Sequence, residues 1–247
     1  MALRVAVVGD IHGNLLAFEA ALAEIRRARP DLIAITGDLV MNGPQPREVV
    51  QRVRDLDREG AMVIQGNTDI AVADFDYAAA FPWLDEVPDH QRLAVEWAHD
   101  QLADDELGYL RRLPAERRGH EDGQMLLICH ASPGSQTTGL PADLDPAVTV
   151  ERVTRTDARV IGCGHTHVAE TRELGRKLIC NAGSCGYAFD GDPGASWAIV
   201  TIGGEEPTAE LRRTRYDAQA VADQLSERGL PGDVYRAATV RTGRYVR

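Results

Sequence analysis

A chain of 247 residues, 44% of them hydrophobic, is long enough for one α/β domain with a full core. Its formal charge of −11, from 38 acidic and 27 basic residues, excludes the clustered cations of a non-specific nucleic-acid binder. Bound dications would reverse that sign locally and leave phosphate open as a substrate. No apolar stretch reaches bilayer length, and the first apolar run leads straight into Gly9-Asp10 without the form of a signal peptide. The expectation is a cytoplasmic protein with no membrane partner. Cys129, Cys163, Cys180 and Cys185 lack zinc-type spacing, and three lie at or near the ends of apolar runs, as buried thiols in a reducing compartment would.

In chain order, residues 5–8 form an apolar run without alternation, which predicts a strand covered on both faces. It ends in Gly9-Asp10-Ile11-His12-Gly13-Asn14, and a helix follows with Leu15, Phe18, Leu22 and Ile25 on one face, stopping before Pro30. Residues 32–36 repeat the pattern and end in Gly37-Asp38. Pro46 opens a second helix with Val49, Val50, Val53 and Leu56 inward, and Gly60 closes it. A third strand, 61–64, runs into Gln65-Gly66-Asn67-Thr68-Asp69. This alternation predicts a right-handed parallel sheet with its ligand site beyond the carboxyl ends of the strands.

From residue 70 to about 119 the strand rhythm stops, with Pro82, Pro88 and Pro114 punctuating helices expected around 91–101 and 104–113. Trp97, Leu102, Leu107 and Leu110 would dock this helical insertion, which either overhangs the site or only completes the core. The sheet resumes at 125–129 and delivers His130; after a Gly- and Pro-rich loop and a short helix, 160–163 leads into Gly164-His165-Thr166-His167. Strands at 177–180, 196–202 and 209–212, joined by short glycine turns, predict antiparallel pairing. The tail, about 215–247, holds one amphipathic helix near 217–229. With no repeat, low-complexity tract or linker, residues 1–247 are read as one domain of two packed sheets with helices outside.

Five strand ends thus supply Asp10, His12, Asp38, Asn67, His130, His165 and His167: two carboxylates, one amide oxygen and four of the seven histidines. A single copy of such a turn reads more naturally as a glycine turn and helix cap; four histidines at strand ends read as a metal site. An open catalytic ion takes about three or four protein donors, so seven suit two ions about 3.5–4 Å apart sharing a carboxylate. Nitrogen and oxygen donors without thiolate favour Mn, Fe, Co, Ni or Zn over Ca or Mg, with manganese placed first. Such a pair ionises a bridging water near neutral pH and clamps the oxygens of an in-line displacement, the machinery of phosphate-ester hydrolysis.

The ordered set D-x-H, G-D, G-N, H and G-H-x-H resembles the calcineurin-like metallophosphoesterases, from about residue 3 to residue 202. The resemblance implies a two-sheet α/β/β/α sandwich. It also implies a first metal held by Asp10, His12, Asp38 and His167, and a second by Asp38, Asn67, His130 and His165, with Asp38 as the bridge. Asp38 and His130 would act in catalysis through the metals. Asn14 matches the continuation of the first motif and would bind substrate oxygen, or else cap the helix at Leu15. Asn181-Ala182-Gly183-Ser184 resembles a family turn that supports the metal histidines.

Two departures carry information. Thr68 stands where many members carry a general-acid histidine, and a hydroxyl cannot do that work near neutral pH. Met41-Asn42-Gly43-Pro44 stands where many members carry a phosphate-gripping arginine. Both point away from protein phosphatases and diadenosine tetraphosphate hydrolases, and resemble the smaller bacterial and archaeal branch that mostly cleaves phosphodiesters. The reading is a phosphodiesterase acting through a metal-bridging hydroxide on a small phosphoester. The alternatives are a phosphomonoesterase or nucleotide hydrolase with an acid from the insertion, and a non-catalytic protein-binding scaffold. His90, His99, His120 and the pair Arg117-Arg118 are read as surface or packing groups, and the oligomeric state is left open.

Overall fold

The computed structural model describes residues 2–246. Strand β1 (Leu3–Val8), helix α1 (Leu15–Ala28), β2 (Leu32–Ile35), α2 (Pro46–Arg58) and β3 (Met62–Val63) form the expected parallel unit, Val5 opposite Leu32 and Ala34 opposite Met62. The insertion follows as α3 (Asn67–Asp74), α4 (Tyr77–Ala80), α5 (Asp89–Asp100) and α6 (Asp104–Arg112). Then come β4 (Glu116–Glu121), β5 (Gln124–Cys129), α7 (Pro146–Val153), β6 (Val160–Cys163), β7 (Ala169–Leu174) and β8 (Lys177–Ala182). The chain continues through β9 (Ala195–Ile202), β10 (Thr208–Thr214), α8 (Ala218–Glu227) and α9 (Asp233–Thr242).

The strands make two five-stranded sheets, ordered β10-β9-β1-β2-β3 and β4-β5-β6-β8-β7. Val5 and Val7 from the first sheet meet Leu126, Ile128 and Val160 from the second in a dry layer between them. Ala6 and Val8 point the other way, onto Phe18, Leu22, Val49 and Val53 of the outer helices. On the far face of the second sheet, Leu127, Cys129 and Ile161 pack under Val153 of α7. The central strands therefore read as unbroken apolar runs because both of their faces are covered. All four cysteines are buried and free, and among the described residues no helix is long and apolar enough to cross a membrane.

Three boundaries differ from the sequence expectation. Residues 116–121 are a strand rather than the end of the insertion: β4 pairs antiparallel with β5, Arg118 opposite Leu127. It is an edge strand, so charged side chains are tolerated there and conceal it. The same holds for β7, which forms a hairpin with β8 around Gly175 (φ 59°); β8 is antiparallel to β7 but parallel to β6. The tail contains a second helix, α9, packed on α8 through Leu225, Ala237 and Val240 around Tyr187. The insertion fills both roles weighed for it. Ala94, Val95 and Leu110 join the core, while Phe81, Trp83, Leu84, Pro88, His90 and Gln91 face a cavity at the strand ends.

Candidate metal centre

The loops after β1, β2 and β6 turn sharply as they leave the sheets and carry five of the seven donors; Asn67 opens α3 after β3, and His130 directly follows β5. Asp10, His12, Asp38, His165 and His167 all have φ between 48° and 69°, left-handed values that non-glycine residues adopt at a cost of about 1–3 kcal/mol each. Neighbouring backbone holds them there: Asp10 N–H donates to Gly37 O at 3.0 Å and His12 N–H to Asp38 O at 2.9 Å. His165 N–H donates to the Asp10 carboxylate at 3.0 Å. A Cβ on Gly66 would lie 2.2 Å from Asp38 Oδ1, so only glycine lets the third motif approach the second.

The seven predicted donors converge into two adjoining groups. In one, His12 Nε2 lies 3.0 Å from His167 Nε2, 3.4 Å from Asp38 Oδ2, and His167 Nε2 is 3.4 Å from Asp10 Oδ1. One donor atom from each of Asp10, His12, Asp38 and His167 falls within 4.8 Å of the others, and all four residues are buried. In the other, His130 Nε2 lies 3.0 Å from Asn67 Oδ1, 3.2 Å from His165 Nδ1 and 3.5 Å from Asp38 Oδ1. His165 Nδ1 is also 3.1 Å from Asn67 Oδ1.

Backbone carbonyls fix which ring nitrogen faces inward. His130 Nδ1 donates to Thr36 O at 2.7 Å and His167 Nδ1 to Tyr187 O at 2.5 Å, leaving each Nε2 lone pair aimed at the cluster. Burial, reinforced by neighbouring His167, lowers His12 to about 4; burial and His130 do the same to His165. Both rings are therefore neutral donors at pH 7. Burial alone would raise Asp38, but His130 and His12 outweigh it and hold the carboxylate at about 2. Burial likewise works to lower His130, yet Asp38 and Asp10 raise it above the ordinary histidine value. Neutral imidazole lone pairs and an ionised carboxylate, joined in the second group by an amide oxygen, fit transition-metal cations.

Further residues brace these donors. Asp69 Oδ1 accepts from Leu39 N at 2.8 Å and its Oδ2 accepts from Gly66 N at 2.9 Å, tying the Asp38 loop to the Asn67 turn. Burial, with Asp38 nearby, raises Asp69 to about 7. Asn181 Nδ2 donates to Gly164 O at 2.9 Å, and Ser184 Oγ donates to Asp10 O at 2.7 Å, so the 181–184 turn steadies two donor loops. Phe189 stacks on His167 with ring centroids 4.2 Å apart. The bond from Gly66 N–H to the Asp69 carboxylate is one half of a capping box, and that spacing is the only local signal Asp69 carries in the sequence.

Two residues at the edge of the site have a structural setting of their own. Asn14 is buried, its Oδ1 accepting from Ala17 N at 3.1 Å and its Nδ2 donating to Gly186 O at 2.9 Å. The amide is engaged inside the fold at both ends, in the helix-cap role that was the alternative to a substrate contact. His90, read as a surface or packing group, is exposed at the wall of the cavity. That cavity, about 730 Å³, opens over His12, Asp38, Asn67, His165 and His167. Thr68 also lines it, but its hydroxyl donates to Val40 O at 3.2 Å and its N–H to Asp38 Oδ1 at 2.9 Å.

A two-sheet sandwich with a buried Asp/His cluster at the carboxyl ends of its strands defines a metal-dependent hydrolase of phosphate esters. Residues 3–205 match the calcineurin-like phosphoesterase superfamily domain, and the chain belongs to that family. The fold is similar to a metallophosphoesterase crystal structure from Sphaerobacter thermophilus, at a TM-score of 0.75 and 27% identity, covering 98% of this chain and 100% of that one. An uncharacterized protein of Methanocaldococcus jannaschii is 25% identical over 240 residues, 92% of this chain and 93% of its own length. The symmetrical bis(5'-nucleosyl)-tetraphosphatase of Pectobacterium atrosepticum is 31% identical over 157 residues. That stretch is 62% of this chain and 51% of the tetraphosphatase, so the chain spans about half of that relative.

Proposed function

We propose that this protein is a dinuclear metal-dependent phosphodiesterase acting on a small phosphoester. One observation carries the reading: the Asp38 carboxylate offers Oδ2 to the His12 group at 3.4 Å and Oδ1 to the His130 group at 3.5 Å. That is how a carboxylate shared by two cations would stand. Asp10, His12, Asp38 and His167 would hold one ion and Asp38, Asn67, His130 and His165 the other, with manganese the first choice ahead of Fe, Co, Ni and Zn. Two bound dications supply a nucleophile ionised near neutral pH and positive charge against the phosphoryl oxygens. The protein's own part is to hold that charge at one end of a 730 Å³ cavity that has room for both arms of a diester. Thr68 provides no acid, so esters with good leaving groups are favoured. Four buried, unpaired thiols suit a cytoplasmic setting.

Purified protein loaded with manganese should turn over a chromogenic phosphodiester and carry two ions per chain by elemental analysis. Turnover no greater than that of Asp38→Asn, or a single bound ion, rejects the reading. A second reading, a phosphomonoesterase or nucleotide hydrolase, is favoured by His90 in the cavity wall and by the similarity to the tetraphosphatase, the class of enzyme that Thr68 and Met41-Asn42 pointed away from. Rates on a monoester and a diester of the same phenol separate the two. A scaffold would not need all seven donors, and none has been lost.

A further inference from the structure

One cation reaches the cavity from a part of the chain outside the donor motifs. Arg236, on the first turn of α9, lines the cavity and is only 5% exposed. Among the described residues no carboxylate lies within ion-pair distance of it, and it is the only arginine or lysine lining the cavity. Its guanidinium donates to three neutral oxygens: Nε to Asn42 Oδ1 at 3.1 Å, Nη1 to Pro231 O at 2.6 Å and Nη2 to His90 O at 3.4 Å. Five N–H bonds are available on a guanidinium, so donors remain for another acceptor. Asp233 gives this cation electrostatic support without a direct ion pair, and because burying a charge with no contacting counter-ion is costly, an anion in the cavity would be favoured beside it.

The surroundings are shaped to admit this group. A Cβ on Gly232 would lie 2.3 Å from Arg236 Nη1, so the Pro231-Gly232 turn needs glycine to seat the guanidinium. Opposite it, Met41 and Asn42 are consecutive left-handed residues, with φ of 74° and 69°, a strained turn that aims the Asn42 side chain between the site and α9. Asn42 Nδ2 lies 3.4 Å from His12 Nδ1 while its Oδ1 accepts from Arg236, so a single side chain separates the guanidinium from a metal ligand.

Building on the phosphoesterase reading, we propose that Arg236 is a substrate-binding residue whose guanidinium grips an anionic phosphoryl group of the ester. The C-terminal helix thereby returns to the site the cation that Met41-Asn42 lacks. A planar, permanently charged fork suits paired phosphoryl oxygens, and the remaining N–H donors would be the ones used.

The test is titration calorimetry of the manganese-loaded protein with orthophosphate and with pyrophosphate, on wild type, Arg236→Gln and Arg236→Lys. Arg236→Gln should raise the phosphate Kd about 10- to 100-fold, the loss of a charge-assisted pair, with lysine restoring part of it. Manganese affinity should stay unchanged, whereas a purely bracing role through Asn42 and His12 would weaken manganese and spare phosphate. Equal losses for the two anions put the arginine on the phosphoryl group at the cluster; loss for pyrophosphate alone puts it on a second one. Wild-type affinity for both anions in folded Arg236→Gln overturns the proposal. If that variant does not fold, a crystal structure of wild type with manganese and phosphate decides, and a guanidinium making no contact with phosphate oxygen overturns it. Neither measurement needs turnover, so a protein that binds phosphate through Arg236 yet hydrolyses nothing would sink the phosphodiesterase reading and leave this one standing.

Discussion

The cavity has two walls, and they are built by different rules. On one, the donors ride on short turns leaving the two sheets, all buried except the half-buried His165, and locked by backbone hydrogen bonds such as His12 N–H to Asp38 O. On the other, Trp83 from the insertion and Tyr235 and Tyr245 from the tail are 55%, 47% and 52% exposed. The first wall tolerates strained left-handed residues because the sheets behind it over-determine the backbone. The second is made of side chains on peripheral segments that can change without unfolding the core. Chemistry is therefore fixed on the sheet side, while substrate choice is open to variation on the helix side.

Substitutions on the two walls should differ in kind, and the sharpest break is Asp38→Asn. Altering groups that merely support metal ligands costs about 10- to 100-fold, so removing the carboxylate that faces both donor groups should cost turnover more than about 100-fold. Elemental analysis alongside the assay would show whether bound metal falls with it. On the opposite wall, His90→Ala should leave metal content untouched. If His90 protonates the leaving group, its loss should slow alkyl esters about 100-fold and nitrophenyl esters little. Equal slowing of both would assign His90 a binding role instead.

Much of the sheet-side wall was legible in the sequence, and little of the other. The donors follow strands whose apolar runs are unmistakable, and each lies within a few residues of a glycine or another donor. Strands β4 and β7 escaped because edge strands carry charge on their exposed faces. The carbonyls of Thr36 and Tyr187 that orient His130 and His167 left no trace, since every residue has a carbonyl. Arg236 meets Asn42 across 194 positions of chain, a contact that no local pattern encodes.

Asp69 tests whether the sheet-side wall works as one unit. Asp69→Asn keeps the shape but turns an N–H toward the backbone donors of Leu39 or Gly66, and should weaken manganese about 10- to 100-fold. Calorimetry would check this, and an unchanged affinity would mean that the two loops hold their places without the tether. A milder probe is pH. His130 is raised above the ordinary value and Asp69 is raised to about 7, so near neutrality protons on these two groups compete with the metal, while His12 and His165, lowered to about 4, are already free of theirs. Manganese affinity should rise as pH rises through 6 to 8, by up to about tenfold per unit for each released proton. Calorimetry in buffers of different ionisation enthalpy would count the protons released, and release of none would contradict the assignment.

The smallest effect on turnover is expected at Asn14, which lies beside the donor loops in sequence but belongs to the scaffold. Asn14→Ala removes the cap on α1 and the donor to Gly186 O, and should lower stability by about 2 kcal/mol. Asn14→Ser keeps a capping oxygen and should recover about half of that. If the residue serves only the fold, both variants keep KM within about twofold at a temperature where each is folded, and their melting points fall in the order alanine, serine, asparagine. A substrate contact predicts another pattern: KM rises for both variants by similar factors, because neither retains the amide, whatever their stability. Thermal melts run beside steady-state kinetics tell the two apart, and they locate the boundary between the wall that holds the chemistry and the frame that holds the wall.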